Sequence, residues 1–216
     1  MKIIYLLPPS EGKNPINLFE KEELTYNFKK PYEISINATQ KDLKCIGDRF
    51  EEGINLNKNI LNSMTNYALN RYDGVMFKAI DYENMNGVAR EYFEENFLFL
   101  SGMYGILKPK DKIGNYKLPI ETKGLSKYWT TEITNTLNNL KADVIIDFLP
   151  NSYKKMIDKK SLNKKLIEVD FLTQKNGKIQ KISHGVKKIK GEFIKEICEN
   201  NGFNFDEKLD KIEIFK

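Results

Sequence analysis

Apolar positions in this chain gather in short dense runs that stop abruptly, and between the runs they recur at helical spacing. Ile3–Leu7 is apolar and rich in strand formers, and Pro8-Pro9 ends it, which reads as a buried strand. Phe97–Leu100 is a second uninterrupted run, broken by Ser101-Gly102, and Ala142–Leu149 is a third, stopped by Pro150. Leu166–Leu172 and Ile212–Phe215 read as further strands. Asn176-Gly177 is a strong hairpin signal leading into the alternating Lys178–Ile182. Gly74–Ile80, after a turn-like Tyr72-Asp73, also reads as a short strand.

Helical patterns fill the gaps. Thr39 caps a helix, with Asp42 three residues on in place of the usual Glu or Gln, and Leu43, Ile46 and Phe50 continue it. Gly53 interrupts, and Leu56, Ile60, Leu61 and Met64 begin a second pattern. Asn86–Asn96, Leu125–Leu140 with the only tryptophan, a start at Tyr153–Ile157, and the basic Gly185–Asn200 read as helices. Asn14–Tyr32 has no clear period and reads as a long irregular arm. Without repeats or low-complexity linkers, the chain is expected to form one domain over 1–216, of mixed α/β class. It would have a central mixed sheet, flanking helices and a helical hairpin inserted at about 38–70.

Three of the strands end in loops of one kind: Leu6–Lys13 (LLPPSEGK), Leu100–Pro109 (LSGMYGILKP) and Leu149–Lys155 (LPNSYKK). If these strands are parallel neighbours, their loops meet beyond the carboxyl ends, where α/β sheets bind ligands. Together they would supply Ser10, Lys13, Ser101, Tyr104, Lys108, Asn151, Ser152, Tyr153 and Lys154. Hydroxyls, an amide and lysines around glycine-exposed backbone suit a phosphate or another anion. Gly, Pro, Ser and Asn also end strands simply because they turn the chain, so a single loop carries little weight. The first loop is not a Walker P-loop: only Gly12-Lys13 matches that pattern, and Asn14 follows.

Other clusters are less specific. Lys187, Lys188, Lys190 and Lys195 crowd the last helix opposite Ile189, Phe193, Ile194 and Ile197, which suits either a solvated face or the wall of a polyanion groove. Asp147 is an odd residue in mid-strand, either paired with a lysine or a functional acid. A Ser-His-Asp triad would have to use His184, the single histidine. With two distant cysteines, Cys45 and Cys198, a structural zinc site lacks ligands, and iron sequestration would have only scattered carboxylates. No metal or other cofactor is therefore expected.

Composition narrows the class further. At 216 residues, 40% hydrophobic and 30% charged, the chain has the make-up of an ordinary globular protein. No apolar run approaches the roughly 18 residues of a membrane span, and Ile3–Leu7 is too short for a secretory signal, so a cytoplasmic monomer is expected. The net charge of +5 is nearly all lysine and only slightly favours a polyanionic partner.

The motifs LLPPSEGK, LSGMYGILKPKDKIGNYKLPIETKG, KYWTTEITNTL and FLTQKNGKIQKISHGVKKIKGEF, in this order along nearly the whole chain, resemble the YaaA family of bacterial peroxide-stress proteins. The resemblance implies a cytoplasmic protein that limits hydrogen peroxide damage, apparently by lowering available iron. It also implies a mixed α/β fold with a positively charged cleft, binding to duplex DNA through a helix-hairpin-helix-like element, and no settled enzymatic reaction. The family motifs fall here on Pro9, Ser10, Lys13, Ser101, Gly102, Tyr104, Gly105, Lys108 and Pro109. They continue through Tyr116, Lys117, Trp129, Asn151, Tyr153, Lys187 and Lys190. The DNA-binding hairpin would map near Asp48–Asn59, where a single glycine and the adjacent Glu51 and Glu52 depart from the pattern and would repel a phosphate.

Two functions follow as expectations. In the first, Lys13, Lys108, Lys117, Lys187 and Lys190 contact the phosphates of DNA, and Tyr104, Tyr116 and Trp129 stack on bases. In the second, the crevice is an enzyme site for a nucleotide or nucleobase. Ser10, Glu11, Asn151 and Tyr153 would orient the substrate, and Lys13 would neutralise its phosphate or assist proton transfer.

Overall fold

The structure is a computed structural model that describes residues 1–20, 28–175 and 177–216. The chain folds as a single α/β domain around a mixed sheet. β1 (Ile3–Leu7) lies at its centre. After the loop at 8–20 come α1 (Lys29–Ile36), α2 (Gln40–Leu43), α3 (Asp48–Asn59), the two-residue strand β2 (Asn66–Tyr67), α4 (Ala68–Arg71), α5 (Val75–Ile80) and α6 (Gly87–Asn96). Next are β3 (Phe97–Ser101), β4 (Gly105–Leu107), β5 (Lys112–Ile113), α7 (Leu125–Asn139), β6 (Val144–Asp147) and α8 (Asn151–Lys154). β7 (Lys165–Lys175), β8 (Lys178–Lys181), α9 (Val186–Glu199) and β9 (Lys211–Phe215) complete the order.

β1 pairs in parallel with β3 on one side and β6 on the other, β6 pairs in parallel with β7, and β7 with β9. The chain therefore leaves β1 toward β3 and later returns to β1's other flank, which makes the carboxyl end of β1 a topological switch point. Glu168 of β7 pairs with Asp147 of β6 and with Lys211 of β9, so these two strands take opposite edges of β7. Leu172 likewise pairs with Lys181 and Phe215, so β8 continues the edge that β6 vacates. The interiors of β1, β3 and β6 are apolar and covered on both faces: Tyr5, Leu6, Leu7, Phe97, Phe99, Ile145 and Ile146 have no exposed surface.

Several local readings hold and several need correction. Thr39 forms a capping box with Asp42, as its spacing predicts. The helix it starts ends at once, because Lys44 is left-handed and Gly47 opens α3 separately. Gly53 does not interrupt a helix; it sits inside α3, where a Cβ would fall 2.9 Å from the Lys117 stem crossing above it. Asp48–Asn59 is thus one continuous helix and not a hairpin. Gly74–Ile80 is a helix rather than a strand: Met76 and Ile80 are buried one turn apart, and the helix packs on α9. Lys178–Lys181 forms the expected second strand of a hairpin, yet all four residues are exposed, so the alternation marks no buried face. Gly177 supplies the left-handed turn position, while Asn176 lies outside the described residues, as do residues 21–27 of the expected irregular arm. Among the described residues, no helix is long and apolar enough to cross a membrane.

Candidate functional site

The three strand-end loops do belong to adjacent parallel strands. The first, after β1, turns back on itself. Lys13 Nζ donates to the carbonyl oxygens of Ser10 and Glu11 at 3.1 and 3.5 Å. The loop is pinned to the segment before α5: Asn14 N–H donates to Arg71 O, Asp73 N–H donates to Gly12 O, and Lys13 bridges Tyr72. The fully buried Arg71 guanidinium reinforces this by donating to Asn14 O, Asn17 Oδ1 and Ile113 O. Gly74 packs directly on this loop, since a Cβ there would lie 2.2 Å from Ser10 Oγ and would force that hydroxyl to turn away.

The loop places a cation over a chain of hydroxyls. The Lys13 ammonium stands 4.2 Å from the Tyr116 ring centroid. Below it, Tyr72 OH, Tyr116 OH and Ser101 Oγ are linked at 2.9 and 2.7 Å. Burial pushes the Tyr116 phenol up to about 12 and the Tyr72 phenol well above its ordinary value, so both hold their protons at neutral pH. Burial, with the neighbouring Lys117 and Arg71 charges, pulls the Lys13 ammonium down to about 7 against the weaker pull of Glu11. Among the described residues no carboxylate forms an ion pair with it. Lys117 reaches this cluster because Asn57 clamps its backbone, accepting from its N–H at 2.9 Å and donating to its carbonyl at 2.8 Å.

A second cluster lies across the carboxyl end of β6. Asp147 is buried, and its Oδ1 accepts from Leu149 N–H at 2.7 Å while its Oδ2 has no hydrogen-bond partner. Lys154 Nζ, one turn into α8, is 3.7 Å from that oxygen and is bonded instead to Glu168, which also holds Lys159. Lys190 reaches in from α9 to donate to Phe148 O. Burial raises the Asp147 carboxyl to about 6 and lowers the Lys190 ammonium to about 8. Burial also works upward on Glu168, but its bonds to Lys154 and Lys159 outweigh this and hold it at about 2. Burial pushes the Tyr153 phenol, next to Lys154, well above its ordinary value, and Tyr116, Glu121 and Glu11 add to this.

Not every residue singled out by sequence belongs here. Trp129 is fully buried, its indole N–H donates to Gly102 O at 2.7 Å, and its ring fills the space above Gly105, so it cannot stack on a base. Tyr104 is also buried, accepts from Gly114 N–H and packs edge-on against Tyr116. Ser101 Oγ accepts the Met103 and Tyr104 amides and holds the turn after β3. β4 runs antiparallel, which carries Lys108 back toward the amino end of the sheet and away from the crevice. Lys187 is exposed on the first turn of α9, beside Lys190, and Asn151 is exposed at the start of α8. Arg71, Tyr72 and Asn57 escaped the sequence reading. The one available signal was Arg71, an arginine in a lysine-dominated chain, placed where several forked donors are needed. Among the described residues, no three His, Cys, Asp or Glu side chains are grouped to hold a metal ion.

Similarity to known proteins extends over nearly the full length of the chain. A UPF0246 protein of Fusobacterium nucleatum is 28% identical over 99% of this chain and 91% of its own length. UPF0246 proteins of Psychrobacter cryohalolentis and Rickettsia conorii are 34% and 30% identical over 63% and 66% of this chain, matches that span 55% and 61% of those relatives. The family model described as peroxide stress protein YaaA matches residues 1–215, and the chain belongs to that family.

Proposed function

We propose that the protein acts in the cell's response to hydrogen peroxide by holding a small phosphate-bearing ligand, such as a nucleotide, in the crevice at the carboxyl ends of β1, β3 and β6. The observation that carries this reading is Lys13: a partly buried cation that no carboxylate ion-pairs among the described residues, with the Lys117 and Arg71 charges set against the weaker pull of Glu11 and an aromatic ring behind it. A desolvated cation among like charges is costly unless an anion completes it. Ser10, Glu11, Asn151 and Tyr153 would orient the rest of the ligand. Any effect on iron-dependent damage would follow indirectly from this ligand.

A small anion fits better than DNA. Tyr104 and Trp129 are buried among apolar groups, and Tyr116 is covered by Lys13, so no row of open rings is present for stacking on successive bases. Calorimetric titration with inorganic phosphate and nucleoside monophosphates, on the wild type and Lys13→Ala, tests the reading. Saturable binding weakened at least tenfold in the variant is expected. Equal binding by both proteins, or none by either, would overturn it. Steeply salt-dependent binding of labelled duplex DNA that survives Lys13→Ala would favour the DNA reading.

A further inference from the structure

Asp147 is unexplained by the anion reading, and it sits beside the same crevice. Its strand lies next to β1 in register, with Leu6 paired to Asp147, and Phe148 N–H donates to Leu6 O at 3.0 Å. Four residues beyond Leu6 the Lys13 loop begins at Ser10. The carboxylate is 1% exposed, and its Oδ2 accepts no hydrogen bond, held only by a long ion pair with Lys154 at 3.7 Å. Buried carboxylate oxygens are rarely left so, because losing water without gaining a partner costs roughly 1–3 kcal/mol or more. The nearest candidate donor, Lys154, stops at 3.7 Å because Glu168 holds it. Lys190 donates to Phe148 O and makes no hydrogen bond to Oδ2.

We propose that Asp147 Oδ2 is a second subsite of the crevice, which accepts a hydrogen bond from a neutral N–H or O–H group on the ligand whose phosphate Lys13 receives. The surroundings select that chemistry. A metal ion or an ammonium group would meet the positive charges of Lys154 and Lys190, whereas a neutral donor meets no such repulsion. An anion there would face the carboxylate itself. The ligand is therefore a phosphate ester with a polar, uncharged donor group, of which a nucleotide is the simplest example. Base and sugar are both sources of such donors. This assignment rests on the anion reading above and deepens it by naming what the phosphate is attached to.

Four probes separate the possibilities: inorganic phosphate, ribose 5-phosphate, guanosine monophosphate, and purine riboside monophosphate, whose base has no N–H donor. Wild-type protein should bind guanosine monophosphate at least tenfold more tightly than inorganic phosphate. Asp147→Asn, which keeps an acceptor for Leu149 N–H and places an N–H₂ group at Oδ2, should close that gap and leave phosphate affinity unchanged. If the donor is on the base, purine riboside monophosphate binds like ribose 5-phosphate; if it is a sugar hydroxyl, both bind like guanosine monophosphate. The ligand series uses the unaltered protein and so decides the matter even if the variant does not fold. The proposal is overturned if all four probes bind wild type equally, or if Asp147→Asn keeps the full preference. Failure of every probe, inorganic phosphate included, removes the anion reading and this subsite together. Absence of the preference in the wild type, with inorganic phosphate still bound, removes only the subsite.

Discussion

The two ends of the parallel sheet treat charge in opposite ways. At the amino end, polar groups find partners. Lys2 N–H donates to Asp143 Oδ2 at 2.7 Å, Lys2 Nζ donates to Asn96 Oδ1 at 2.8 Å, and Lys165 pairs with Asp210 at 2.6 Å. At the carboxyl end, among the described residues, Lys13 is met by backbone carbonyls and the Tyr72 and Tyr116 rings but by no ion-paired carboxylate, and Asp147 Oδ2 accepts no hydrogen bond and has only a long ion pair with Lys154. Both ends are built from the same strands, so the difference is not one of fold. Local rules are satisfied where the sheet only has to be stable and broken where it faces the crevice. Such conflicts are expected at functional sites.

Substitutions at the two ends should therefore separate binding from stability. The largest effect is expected from Lys13→Ala. Losing a charge-assisted hydrogen bond to the ligand costs about 1.5–3 kcal/mol, roughly 10- to 100-fold in Kd by calorimetry, with little loss of Tm because an uncompensated cation is removed. A pH series comes next. Lys13 titrates near 7 in the folded protein against 10.5 when unfolded, so between these values the unfolded chain binds more protons. This group's contribution to stability therefore rises with pH over that window, measurable in urea melts. Anion affinity should run the other way and fall by up to about tenfold per unit above pH 7, as the ammonium is lost.

At the amino end the pattern should reverse. Asn96→Ala removes the acceptor of Lys2 Nζ and a buried amide that also donates to Tyr92 O, so stability should drop by about 1–2 kcal/mol with ligand Kd unchanged. Asp143→Ala removes a solvent-exposed contact and should cost about 0.5 kcal/mol or less. Weakened binding in either variant would erase the distinction between the two ends.

Much of this was legible in the sequence. Dense apolar runs with sharp proline or Ser-Gly stops marked β1, β3 and β6, because fully buried parallel strands need no polar face. Their shared loop composition pointed to one crevice. The failures have physical causes. Val75–Ile80 is too short and too apolar for periodicity to separate helix from strand, and packing against α9 decided it. Gly53 looked like a helix breaker because the Lys117 stem that fills its space is distant in sequence. Trp129, Tyr104 and Ser101 carry polar atoms that a site would want, and in the structure those of Trp129 and Ser101 hold the turn after β3 while the Tyr104 hydroxyl ties down Gly114. Arg71 and Tyr72 in the Lys13 environment were out of reach for the same reason, since they meet it only through long-range contacts, whereas Tyr116 and Lys117 were marked by the family motifs.

The central claim is that Lys13 is a desolvated cation awaiting an anion. NMR titration of protein labelled at the lysine Cε carbons, with Lys13→Ala used to assign the signal, measures this directly. Lys13 should titrate near 7 alone and at a distinctly higher pH once phosphate is present. A midpoint near the ordinary lysine value of about 10.4 with and without phosphate would contradict the account.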